Sequence, residues 1–218
     1  MAKKIAIVGG AGAYARPFME HGGLFMVASE ADVYELKPDV LVFTGGADVD
    51  PYLYDEHPHY TTHYDTRRDA REAEIFHAGL DVGAKMCGIC RGSQFLTVMN
   101  GGKLVQHIQG HGIHGTHDLF HPVTGARLTS ITSTHHQMMY PFQLDDDSYE
   151  VLAVGPHATE EWQGVPVDGG HTSIDVVEAV YYPQTQALCV QGHPEYMPTD
   201  SEGWHWYQTK LVEFIFND

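Results

Sequence analysis

A cysteine set between two glycines, Gly88-Ile89-Cys90-Arg91-Gly92, is where residue type and spacing first suggest chemistry in this chain. The apolar Met86–Ile89 leads into it, and a helical run opens after it with Ser93-Gln94-Phe95-Leu96. A nucleophile on a strained strand-to-helix turn needs neighbours without side chains, and the turn lifts it to the end of a sheet. There the positive end of the following helix favours an anionic sulfur. Such a thiol needs a base and a group to orient that base, and Gly192-His193-Pro194-Glu195 offers both. In extended backbone, residues two apart point to the same side, so the Glu195 carboxylate can follow the His193 ring. Cys90, His193 and Glu195 therefore form a candidate triad for acyl transfer. Cys90 attacks an acyl carbon, His193 generates the thiolate and later protonates the leaving amine, and Glu195 orients the imidazole. Backbone N–H groups of Arg91 and of the Gly45-Gly46 turn, Gly46 in particular, are candidate oxyanion donors. Losing one such donor typically costs about 3–4 kcal/mol of transition-state stabilisation.

These loops must be held by a sheet. Ile5–Val8, Leu24–Ala28 and Asp39–Thr44 read as strands, the first and last of them buried. The last of them runs into Gly45-Gly46-Ala47-Asp48, the kind of turn that carries ligand-binding loops at the carboxyl end of parallel strands. Asp65–Leu80 carries Ala70, Ala73, Ile75, Phe76 and Leu80 at helical spacing, after an irregular aromatic and histidine-rich excursion over Tyr52–Tyr64. A second helix is expected over Arg91–Met99, stopped by Asn100-Gly101-Gly102. Beyond it the pattern turns to strands, at Lys103–Ile108, Ala126–Thr129, Tyr149–Val154, Val176–Tyr182 and Ala187–Gln191, before an amphipathic helix over Ser201–Phe216. Strand–helix alternation followed by mostly strands predicts a mixed α/β sheet with hairpin additions. Without a linker or a repeat, residues 1–218 are expected to form a single domain.

Composition narrows the function. With 218 residues, 43% of them hydrophobic, the chain can build its own core. The formal charge of −17 and the lack of a Lys/Arg stripe make nucleic acid a poor partner. No run approaches the roughly 18 apolar residues of a membrane-spanning helix, and the N-terminal apolar run reads as a strand rather than a signal peptide. The three cysteines, Cys87, Cys90 and Cys189, are too few and odd for a disulfide framework. They suit a reducing, cytoplasmic compartment, with Cys87 and Cys189 as buried small hydrophobes. Gly9-Gly10-Ala11-Gly12 lacks the third glycine of a dinucleotide fingerprint and reads as a loop.

Several stretches together carry a resemblance: Thr44–Pro51, TGGADVDP; Arg67–Phe76, RRDAREAEIF; Gly88–Ile108, GICRGSQFLTVMNGGKLVQHI; Ser133–Gln137, STHHQ; Val177–Val180, VEAV; and Val190–Tyr196, VQGHPEY. In this order they resemble the class I glutamine amidotransferase superfamily, and within it the γ-glutamyl-hydrolase branch, the peptidase C26-like group. The resemblance implies a flavodoxin-like three-layer α/β sandwich with a mostly parallel central sheet. It also implies hydrolysis of a γ-glutamyl amide through a thioester on Cys90. The glutamyl head group would be held by Gln94 and the Ser133–Gln137 loop, with His135 and His136 as the residues to test. The substrate would be a small γ-glutamyl conjugate or glutamine, and the acidic surface would suit a cationic leaving amine. The alternative is a glutaminase subunit that passes ammonia to a separate synthetase partner; a homodimer is a further partner candidate. Ser93, Thr97 and Gly192 depart from the family's more frequent methionine, asparagine and bulky aromatic, and the glycine is expected to open the pocket beside His193.

Histidines at 107, 111, 114, 117 and 121 raise the question of a metal. Glycines at 110, 112 and 115 interrupt any helix that would align them, and the triad needs no metal and no cofactor. These are expected to be surface loop histidines, with no metal site.

Overall fold

The computed structural model describes residues 2–10, 12–156 and 176–217, which leaves Ala11 of the glycine-rich turn outside. The first half alternates strand and helix: β1 (Lys3–Val8), β2 (Gly22–Val27), α1 (Glu30–Leu36), β3 (Val40–Phe43), α2 (Thr66–Val82), β4 (Lys85–Ile89) and α3 (Arg91–Met99). The second half is mostly strand: β5 (Lys103–Val105), β6 (Gly115–Phe120), β7 (Arg127–Ser133), β8 (Met138–Tyr140), β9 (Glu150–Gly155), β10 (Val176–Tyr182) and β11 (Ala187–Val190). Helix α4 (Glu202–Lys210) follows and passes into a π-helical turn, Leu211–Phe216. Among the described residues the sheet has 11 strands, in the order β2-β1-β3-β4-β11-β10-β9-β6-β7, with β8 on β10 and β5 on β8. Neighbours from β2 through β11 run parallel, and every pairing beyond β11 is antiparallel. The fold is the flavodoxin-like α/β sandwich.

Central strands β3 and β11 are buried at every residue, which is why they read as unbroken apolar runs. On one face Ile75, Phe76, Phe95 and Leu96 belong to the same apolar cluster as Leu41, Phe43 and Met86. On the other face Phe18, Tyr207, Leu211 and Ile215 cluster with Ile7, Val42, Cys87 and Ile89. Asp65 caps α2 by accepting from the N–H groups of Arg67 and Arg68, and Gly83, at φ +75°, ends it.

Three elements escape the sequence pattern. Helix α1 is a seven-residue stretch with one buried side chain, Val33, and is set by a capping box between Ser29 and Asp32. Strand β6, GTHDLF, buries only Leu119, so it shows no alternation. The C-terminal helix is expected to be continuous, but its last turn widens after Lys210.

Candidate active site

Strand β4 delivers Cys90 to a sharp turn with φ +54° and ψ −113°, backbone that an ordinary residue rarely adopts. The turn is pinned from below. Val190 of β11 accepts from the Cys90 N–H at 2.9 Å and from the Ser93 hydroxyl at 2.7 Å. The flanking glycines are steric necessities. A Cβ on Gly92 would lie 2.1 Å from the Phe43 carbonyl oxygen, and one on Gly88 would lie 2.7 Å from the Ser93 backbone. Thr97 donates to the Ser93 carbonyl at 2.9 Å and accepts from the Tyr182 hydroxyl at 3.0 Å. Both departures from the usual pattern, Ser93 and Thr97, thus brace the helix under the thiol.

Strand β11 runs parallel to β4 and carries the chain to His193 at the same edge. A carboxylate only accepts, so His193 Nδ1 donates to Glu195 Oε1, at 2.7 Å. The second ring nitrogen is left to serve Cys90. Burial works against the imidazolium, but hydrogen bonds with Cys90 and then Glu195 outweigh it and push His193 up to about 10. The turn is clamped on both sides. Thr132 of β7 accepts from the His193 N–H at 2.7 Å and donates to its carbonyl at 3.1 Å. Arg16 donates to the carbonyls of Glu195 and Met197 at 2.9 and 2.8 Å, with its guanidinium over the Trp204 ring. Tyr14 stands 6.3 Å from the His193 ring between centroids. Burial, followed by the charges of Glu195 and Cys90, pushes its phenol up, so it is a neutral donor.

The Gly45-Gly46 turn is held from α2. Arg68 donates to the carbonyls of Thr44 and Gly45 at 3.0 and 3.1 Å. In a trans peptide the N–H opposes the carbonyl, so the Gly46 N–H points away from Arg68. A Cβ on Gly46, whose φ is +140°, would sit 2.2 Å from Arg68. Arg68 also donates to Glu72 at 2.7 Å, and Glu72 and Asp69 both accept from Arg91, the residue after the nucleophile. Asp69 in turn accepts from the Asp50 N–H at 2.9 Å. A buried charge network therefore ties both proposed oxyanion segments to one helix. Arg68, Asp69 and Glu72 lie in a stretch that carries the family resemblance, but their helical spacing alone gives no chemical role, because charges on a helix ordinarily mark a solvated face. Tyr14 and Arg16 carry no chemical signal in sequence.

Cys90, Arg91 and Gly46 share a cavity of about 270 Å³ with Gln94, His135 and His136. Gln94 donates to Gln191 Oε1 at 3.2 Å. Gln191 in turn reaches toward the Cys90 sulfur at 3.8 Å. His136 lies on the rim, 3.2 Å from Asp48. His135 turns away: its Nδ1 meets the Gln137 carbonyl at 2.8 Å and its Nε2 meets Glu178 at 3.2 Å.

Two expectations need correction. Gly192 does not open the pocket. A Cβ there would lie 2.5 Å from Ile131, so the β7 side chain already fills that space. Nor are all the histidines of that segment surface residues: His114 and His121 are exposed as expected, but His111 is 2% exposed and the His117 side chain is 7% exposed. Spacing along the chain hides this, because His111 comes from the loop before β6 and His117 from β6 itself.

A thiol on a strand-to-helix turn beside a histidine–glutamate pair, on this sheet, defines a class I glutamine amidotransferase-like domain. The chain belongs to the peptidase C26 family, whose sequence model matches residues 28–195. It is 37% identical over 167 residues to a Mycobacterium tuberculosis protein provisionally named a glutamine amidotransferase; the match covers 71% of this chain and 50% of the relative. A provisionally named glutamine amidotransferase-like protein of Lactococcus lactis is 33% identical over 161 residues, covering 72% of this chain and 66% of the relative. The matched region thus spans half of one relative and just under two thirds of the other. A Thermoplasma acidophilum protein, provisionally described as belonging to a GMP synthase, shares the fold with a TM-score of 0.62 at 17% identity. That match covers 98% of this chain and 96% of the other. Among the described residues, no helix is long and apolar enough to cross a membrane.

Proposed function

We propose that the protein hydrolyses the γ-glutamyl amide bond of a small conjugate and releases glutamate. Cys90 Sγ adds to the amide carbon while the Arg91 and Gly46 N–H groups receive the oxyanion. The C–N bond breaks as the amine leaves with the proton of His193. Water, deprotonated by His193, then cleaves the thioester and restores the thiol. Gln94 and His136 hold the glutamyl head group, and His135 lines the floor. Gln137 Oε1, buried without a hydrogen-bond partner among the described residues, is an acceptor for its ammonium. The observation that carries this reading is the 2.7 Å His193–Glu195 bond beside a strained Cys90.

The test is mass-spectrometric product analysis of the purified protein with glutamine, γ-glutamyl-putrescine, γ-glutamyl-aminobutyrate and a γ-glutamyl peptide. Glutamate release from one conjugate, with glutamine barely touched, is expected. The second reading, a glutaminase subunit feeding a synthetase, draws on the likeness to a protein described as part of a synthase. It predicts slow glutamine turnover and silence on every conjugate.

A further inference from the structure

Behind the pocket lies a second cluster that the thiol chemistry does not use. Glu178 sits in the middle of β10 with no exposure, and three imidazoles crowd one of its oxygens. His117 Nε2 lies 2.9 Å from Glu178 Oε1, His111 Nδ1 lies 3.2 Å from it, and His135 Nε2 also lies 3.2 Å from it. The outer nitrogens of two of these rings are already committed. His111 Nε2 is 3.2 Å from the Pro156 carbonyl, and His135 Nδ1 is 2.8 Å from the Gln137 carbonyl. A carbonyl can only accept, so those outer nitrogens carry the protons. In the neutral rings the inner nitrogens then bear lone pairs, and these face a carboxylate that bears only lone pairs. Charging the rings instead would set several buried cations against one carboxylate, which costs several kcal/mol per uncompensated ion.

Three ring nitrogens converge on one carboxylate oxygen, as ligands do about an ion, and of the three only His135 Nε2 has hydrogen-bonding geometry to it, at 3.2 Å. His111 Nδ1 and His117 Nε2 are close to the carboxylate but make no hydrogen bond, and Glu178 Oε2 has no partner among the described residues. Ligand atoms of His111, His135 and Glu178 lie within 4.8 Å of one another. Around tetrahedral zinc, with bonds of about 2.0–2.2 Å, neighbouring ligand atoms stand about 3.3–3.5 Å apart; the nitrogen-to-carboxylate spacings here are 2.9–3.2 Å, and His117, outside the 4.8 Å trio, would swing in as the fourth ligand. Backbone carbonyls holding the outer N–H groups are the usual support for metal-binding histidines. Gly155 leaves the room: a Cβ there would lie 2.9 Å from Glu178 Oε1 and 3.2 Å from the His111 ring.

We propose that His111, His117, His135 and Glu178 bind a divalent transition-metal ion of the zinc class in a closed structural site. Imidazole and carboxylate ligands select zinc, nickel or cobalt over magnesium. The ion would tie β6, β10 and the loop after β7 together and so hold His136 and Gln137 at the pocket wall. It touches no substrate, and the proposal stands independently of which γ-glutamyl amide is cleaved.

The test uses the full chain purified without a histidine tag. Elemental analysis after dialysis should find one zinc-class ion per chain. Chelation should lower the melting temperature, and zinc, but not magnesium, should restore it, by about 8–16 °C at a thousandfold excess over Kd. His111→Ala and Glu178→Gln should lose the ion, whereas His107→Gln, in the separate ring cluster with His59 and His136, should keep it. Should either variant fail to fold, cobalt(II) titration of the unmodified stripped chain decides: strong tetrahedral absorption supports the site. No bound ion and no shift on adding zinc, nickel or cobalt overturns the proposal. So does binding that survives in both variants, or a cobalt spectrum without tetrahedral bands.

Discussion

Two buried histidine–carboxylate assemblies among the described residues, at Glu195 and at Glu178, differ in the number of rings that meet the carboxylate. At His193–Glu195 one imidazole meets one carboxylate at 2.7 Å, and the remaining nitrogen faces a thiol at the edge of a cavity. At Glu178 three imidazoles meet one carboxylate oxygen, with two of the outer nitrogens spent on backbone carbonyls. The first arrangement leaves a proton free to move between ring and substrate. In the second, His111 and His135 present lone pairs inward, while His117 has no hydrogen-bond partner on either ring nitrogen among the described residues. Residue type is the same in both; stoichiometry and the direction of the outer nitrogen set the role.

The comparison breaks most sharply at the nucleophile. Cys90→Ala should lower turnover by about 10⁴-fold or more while leaving the melting temperature and the Glu178 cluster unchanged. A Cys90→Ala protein that loses its fold would show that the elbow and the core are not separable. Next comes the orienting carboxylate. Glu195→Gln should reduce kcat by about 10²–10⁴-fold and move the alkaline limb of the pH–rate profile downward. The sign follows from His193, which is pushed up to about 10 and so holds its proton across the neutral range. Activity that needs the imidazolium therefore falls only as pH rises toward about 10. Its contribution to stability has the same sign: fully present below the unfolded histidine value of about 6.5 and lost as pH rises through the folded value. An unshifted limb in Glu195→Gln would remove the carboxylate from the account.

Stability effects sharpen the picture further. Arg91→Met strands Asp69 without a cation, leaves Glu72 to Arg68 alone, and should cost about 3–5 kcal/mol in urea unfolding. Gly192→Ala drives a Cβ into Ile131 and should cost about 1–3 kcal/mol, relieved in part in the double variant with Ile131→Ala, which removes the γ carbons but leaves the Thr132 carbonyl. If Gly192→Ala is neutral, the space beside His193 is not filled by β7.

What could be read in the sequence was local. The Arg91–Met99 helix, the buried strand at Val40–Phe43 and the glycines around Cys90 follow from periodicity and from turns that only glycine allows. Residues that support the site from afar could not be read this way. Arg68, Asp69 and Glu72 look like a solvated helix face until Arg91 is placed under them. His111, His117 and His135 have no common spacing because they approach Glu178 from a loop, from β6 and from the turn after β7. Strand β6 itself is veiled by having a single buried residue. Antiparallel pairing brings such positions together, and no local pattern encodes it.

The claim that a thioester on Cys90 carries the reaction is tested most directly by trapping it. The protein would be quenched in acid during turnover of the best γ-glutamyl amide, digested and read by mass spectrometry. The account predicts one glutamyl group on the peptide containing Cys90, absent in Cys90→Ala. Glutamate release with no adduct on that peptide, undiminished in Cys90→Ala, would contradict it.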